Sequence, residues 1–91
     1  MPVIHLRVVG KVQGVGFRWF VCDRAASLGL AGWVRNTSDG DVEVAASGDA
    51  SELEAITRMV GRGPSAARVD AVHQISPPPG TRYPTPFQIA P

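Results

Sequence analysis

The sequence predicts an α+β sandwich in the order βαββαβ, with a short extra strand near its end. Three features of the chain carry this. Apolar residues alternate singly in four stretches and recur at helical spacing in two others. The helical stretches fall between the first and second and between the third and fourth alternating stretches. Glycine, proline or Asx-rich turns stand at the boundaries. The 91 residues make one domain, 1–91, just large enough to bury a single core.

Ile4, Leu6 and Val8 alternate with His5 and Arg7, the period of a half-buried strand that ends near Gly10. Phe17, Val21, Ala25 and Leu28 then recur at helical spacing, and Gly29 supplies a stop able to turn left-handed. Leu30, Gly32 and Val34 alternate with Trp33 and Arg35, the turn residues Thr37 to Gly40 follow, and Val42, Val44 and Ala46 alternate with Glu43. Strands two and three therefore form a hairpin. The second helix has Asp49 or Ser51 as its expected cap, Glu52 and Glu54 for its first turn, and Leu53, Ile56 and Val60 as its buried stripe. Gly61, Gly63 and Pro64 break it. Val69, Ala71, His73 and Ile75 alternate as a fourth strand, and a proline-rich loop from Pro77 to Pro86 leads to a short strand from Phe87 to Ala90. With right-handed crossovers, two such βαβ units interleave into a ferredoxin-like sandwich, a mostly antiparallel sheet with both helices on one face.

A formal charge of +1 gives no strong field for a nucleic acid duplex or an anionic membrane, so partners must be recognised locally. Cys22 is the only cysteine, which excludes an internal disulfide and a zinc cluster of thiolates. Met1 to Arg7 lacks a long apolar segment, and no apolar run approaches the ~20 residues of a membrane helix, so a cytoplasmic protein is expected, and a monomer.

The stretch GKVQGVGFRWF, residues 10 to 20, departs from ordinary helix-start chemistry. Ser, Thr, Asp or Asn usually caps a helix, and carboxylates suit its first turn because the exposed N–H groups and the dipole leave about half a positive charge there. Here there is no cap and no acid, and Arg18 adds a like charge that costs about 0.3–1 kcal/mol if nothing binds it. The N–H groups of Val15, Gly16, Phe17 and Arg18 are candidates for an external anion, with Gly14 and Gly16 letting the backbone curl round its oxygens. Beside a phosphate the Arg18 guanidinium could add two charge-assisted hydrogen bonds. A tight turn with a solvated arginine accounts for the same residues equally well. Known nucleotide motifs do not fit: a Walker loop needs Lys followed by Ser or Thr, and a dinucleotide fingerprint starting at Gly14 needs glycine where Trp19 stands.

The run VQGVGFR, with GWVRNTSDG in the next strand and turn, resembles the acylphosphatase family, and the resemblance extends through GPSAARVDAV to the FQI near the end. It implies that the loop Gln13, Gly14, Val15, Gly16 and Phe17 cradles a substrate phosphate, that Arg18 binds it, and that Asn36 orients the attacking water. It further implies hydrolysis of small acyl phosphates to carboxylate and inorganic phosphate, with no metal and no cofactor. Inorganic phosphate or sulfate should occupy the same site. The proline-rich segment before the last strand departs from the family pattern. On the residues alone Asn36 reads more readily as turn chemistry ahead of Thr37 to Gly40.

Thr37 is expected as a supporting hydroxyl near the site, or as a turn residue. Cys22 reads as a small buried hydrophobe, His5 and His73 as structural or surface groups rather than metal ligands, and Trp33 as packing beside Arg35 or the hairpin. An RNA-binding module would need stacking aromatics on the central strands, and Val42 to Ser47 contains none. An anion-sensing module without turnover stays open at this point, because fold does not fix function.

Overall fold

Every stretch of regular periodicity in the sequence becomes an element of the kind expected. The computed structural model describes residues 1–91 and orders them as β1 (Val3–Lys11), α1 (Phe17–Ser27), β2 (Ala31–Asn36), β3 (Val42–Ser47), α2 (Ala50–Arg62), β4 (Arg68–Gln74) and β5 (Gln88–Ile89). The sheet runs β4-β1-β3-β2-β5, antiparallel throughout except where β5 joins β2 in parallel. Because β1 and β2 both run antiparallel to β3, they are parallel to each other and end at the same edge of the sheet. Val8 and Asn36 lie at one level, both facing Val42.

One face of the sheet carries both helices. Leu6, Val8, Val34, Val42, Val44 and Ala46 meet Phe17, Val21 and Ala25 of α1 and Leu53, Ile56 and Val60 of α2 in one core. Full burial of such side chains is worth ~1.5–3 kcal/mol each before chain entropy is counted. The other face is polar. His5 is buried there, its Nε2 lying 3.1 Å from one Glu43 oxygen while Arg35 donates to the other at 3.2 Å. The Arg35 guanidinium lies 5.1 Å from the centre of the Trp33 ring, as the sequence suggested for that tryptophan, and His5 is the structural histidine. His73 is exposed.

Three local expectations need correcting. The single alternation of Val69, Ala71, His73 and Ile75 does not survive in β4: the register shifts at Val9/Gly10, so Gly10 faces Val69 while Val9 faces Ala71, leaving Asp70 as an extra residue. Val69 and Val72 consequently both turn to the core. Gly10, at φ +140°, is needed at this point, since a Cβ there would overlap the Arg68 carbonyl oxygen. Second, α2 starts at Asp49 but neither Asp49 nor Ser51 caps it: Asp49 makes no side-chain bond to the helix, and the Ser51 hydroxyl donates to Glu52 instead, at 2.8 Å. Glu52 is the one acid in its first turn; Glu54 falls beyond it. Third, the last strand is shorter than Phe87 to Ala90, because Phe87 turns into the core before pairing begins.

Candidate active site

Between β1 and α1 the chain passes through Val12 to Gly16 with its two ends fixed by burial, Val12 and Phe17 both being core residues. Gly14 and Gly16 are left-handed, at φ +73° and +78°, and neither would meet another atom if given a Cβ; backbone conformation, not space, is what requires glycine here. Gly16 occupies the N-cap position of α1, and no side chain bonds to the helix end. None of the N–H groups from Gly14 to Trp19 finds an acceptor in the protein; the first donor of the helix to be satisfied is that of Phe20, to the Gly16 carbonyl at 3.0 Å. Six consecutive free donors, at a helix start without an acid, form a concentrated positive end.

Arg18 adds to that charge. Arg7, Arg24, Arg35 and Arg68 are ion-paired, and Arg58, Arg62 and Arg82 are unpaired but exposed. Arg18 alone is half-buried with no hydrogen bond or ionic partner. Its direction follows from Cys22, four residues on and therefore on the same side of α1, whose thiol donates to the Phe87 carbonyl at 3.4 Å. That side of the helix faces β5 and β2. Cys22 itself is half-buried, and burial, with a smaller push from the Asp23 carboxylate, raises its thiol pKa, which disfavours the reactive thiolate.

Asn36 closes β2 on the same side. It follows Val34 by two residues and so points to the helix-bearing face, toward the layer that holds the start of α1. Its Oδ1 is buried without a hydrogen-bond partner in the protein, an acceptor that folding has withdrawn from solvent and left unused. No hydrogen bond joins Asn36 to Arg18.

The loop and Asn36 are held together by Gln13. Its Nε2 donates to the carbonyls of Thr37 and Asp41, both at 2.8 Å, pinning the loop after β1 to the turn after β2. Thr37 serves that turn, its Oγ1 accepting the Asp41 N–H at 3.1 Å and its own N–H bonding the Asp41 carbonyl at 2.9 Å. The side chain of Gln13 is therefore a tie, and only its backbone belongs to the lining of the loop. Nothing in local spacing announces this contact across 24 and 28 residues.

Three clefts lie away from the glycine loop, the smallest, about 260 Å³, between the end of α1 and the start of α2. One of about 470 Å³ runs between the start of β1 and α2. Another, about 340 Å³ and mostly polar, opens beside the β2–β3 turn, where Asn36 and Thr37 also line it, but its arginines are already neutralised, Arg7 by Asp39 and Asp41 at 2.7 Å each and Arg35 by Glu43. The Asp41 and Asp39 bonds hold the Arg7 guanidinium above its usual pKa. No three His, Cys, Asp or Glu side chains gather closely enough to hold a metal ion. No helix is long and apolar enough to cross a membrane.

The model of the acylphosphatase family matches residues 4–89, nearly the whole chain. This chain belongs to the acylphosphatase family. It is 58% identical over 65 residues to an acylphosphatase of Koribacter versatilis, a match that spans 71% of this chain and 59% of that protein. Among solved structures, an acylphosphatase from Bacillus subtilis superposes with a TM-score of 0.82 at 36% identity, covering 99% of both chains. One from Coxiella burnetii gives 0.83 at 38% identity, covering 97% of this chain and 90% of that one. Acylphosphatases are hydrolases, and both structural matches extend over the sheet and the two helices described above.

Proposed function

We propose that this acylphosphatase hydrolyses the carboxyl-phosphate bond of small acyl phosphates at the start of α1. The observation that carries the reading is the row of unsatisfied N–H groups from Gly14 to Trp19 beside a half-buried, unpartnered Arg18. In this reading the N–H groups of Val15 to Arg18 receive the non-bridging phosphate oxygens and the Arg18 guanidinium binds them in its planar fork. The carboxamide of Asn36, with one acceptor and two donors, holds the attacking water. The water oxygen attacks phosphorus, the bond to the acyl oxygen breaks, and the electron pair leaves on the carboxylate. The water's protons pass to the phosphate and the solvent. A carboxylate is a good leaving group, so positioning and charge stabilisation suffice, and no strong base is called for. Thr37 and Gln13 act at one remove, by fixing the turn and the loop.

The test is hydrolysis of acetyl phosphate and benzoyl phosphate with EDTA present. Release of carboxylate and inorganic phosphate in equal amounts is expected, and the rate on fully ionised substrate should be nearly flat from about pH 5.5 to 8, since the proposed groups include no carboxylate, imidazole or thiol to act as acid or base. Phosphate binding without turnover would leave an anion-sensing module instead. Loss of turnover in EDTA would overturn the metal-free mechanism.

A further inference from the structure

Trp19 is the large apolar side chain that the fold leaves unused. It is 74% exposed, and the other exposed large hydrophobic residues, Met1 and Val3, lie at the beginning of the chain rather than in a helix. At about 100° per residue, Trp19 stands on the side of α1 opposite the sheet, between Phe17 and Val21, which both point into the core. It also lies in the first turn. Helical side chains lean toward the N-terminus, so the indole leans toward the loop end of α1, with no preceding turn of helix beneath it. No hydrogen bond holds it.

In-line displacement fixes what that side of the site must receive. The attacking water and the departing oxygen lie on opposite sides of phosphorus. Asn36 approaches the loop from the end of β2, that is, from the sheet, so the acyl group departs away from the sheet. Away from the sheet, at the loop end of α1, is where Trp19 stands. We propose that Trp19 forms the wall against which the acyl group of the substrate packs, and that it selects aromatic and extended apolar acyl phosphates over small ones. This rests on the phosphate site proposed above. An acetyl group is too small to cover the indole, whereas a phenyl ring can stack on it or meet its edge, an interaction that adds to ordinary area burial.

The test compares kcat/KM for benzoyl phosphate and acetyl phosphate in the parent, Trp19→Ala and Trp19→Phe. Trp19→Ala should lower kcat/KM on benzoyl phosphate by about tenfold, mostly through KM, while acetyl phosphate stays within about twofold. Trp19→Phe should keep most of the preference. Inhibition by inorganic phosphate, which has no acyl group, should be unchanged in both variants. A merely structural role would lower both substrates together, and that result, or an unchanged ratio, would overturn the assignment of Trp19 while leaving the phosphate site intact. A parent that hydrolyses neither substrate, or an Arg18→Ala variant as active as the parent on both, would overturn the phosphate site itself and the Trp19 proposal with it.

Discussion

The starts of α1 and α2 lack the same thing and solve its absence differently. Neither has a side-chain cap. At α2 the N-cap Asp49 is extended, at φ −67° and ψ 149°, its carboxylate stands at the positive end of the helix, and Glu52 adds a second charge in the first turn. That end is neutralised from within. At α1 the N-cap Gly16 is left-handed, the first turn holds no acid, and Arg18 raises the positive charge further. Within one small domain a helix start can thus be completed by the chain itself or kept open for something else, and the sign of the charge in the first turn separates the two cases.

The strongest way to break the comparison is to remove Arg18. Arg18→Ala should lower turnover of acyl phosphates by ~10²–10³ or more, and Arg18→Lys should also be badly impaired, because lysine keeps the charge but loses the planar fork. A lysine variant with parental kcat/KM would reduce the proposed bidentate contact to a point charge. Asn36→Ala should come next: turnover falls steeply while the inhibition constant of inorganic phosphate stays near the parental value, since the amide is proposed to act on water. Equal loss of both would make Asn36 a phosphate ligand or a structural residue.

Thermal melting sharpens the contrast directly. Inorganic phosphate at 100 times its Kd should add about 2.7 kcal/mol to the folded state. For a domain of this size that is a rise of roughly 10 °C or more, at ~4–8 °C per kcal/mol. Sulfate should act likewise and chloride at equal ionic strength should not. Arg18→Ala should lose most of the shift while losing little intrinsic stability, because an unfavourable charge is removed. An equal phosphate shift in the variant would place the anion elsewhere. The smallest effect belongs to α2: Glu52→Gln should lower stability by about 0.3–1 kcal/mol with the phosphate shift unchanged. A Glu52→Gln variant that gained a new phosphate-dependent shift would show that any helix start in this protein binds anions once its acid is gone.

Much of this was legible before any coordinates. Phe17, Val21 and Ala25 located α1, and with it the uncapped start; Leu53, Ile56 and Val60 located α2, and all six are buried. Reading failed where the cause lay in another strand. Asp70 resets the phase of β4 because Val69 pairs with Gly10 and Ala71 with Val9, and no property of residues 69 to 75 reveals that. Asp49 was a good cap by residue type, yet its side chain makes no bond to the helix. At the site, spacing identified the free N–H groups but not the Gln13 tie, which depends on the paths of Thr37 and Asp41. The face of Asn36 follows from Val34 two residues earlier, but its level beside β1 was hidden: it is a consequence of register with Val42, fixed only when β1, β3 and β2 are paired.

That register has a further consequence. The glycine loop hangs from β1 and Asn36 from β2, and the strand between them is β3, which supplies none of the groups proposed for the chemistry. A chain in which β1 and β2 have both formed, but β3 has not slid between them, owns every one of those groups and has no site. Turnover is then a report on the docking of a silent strand, so a refolding population should recover its activity in step with closure of the sheet, and no earlier.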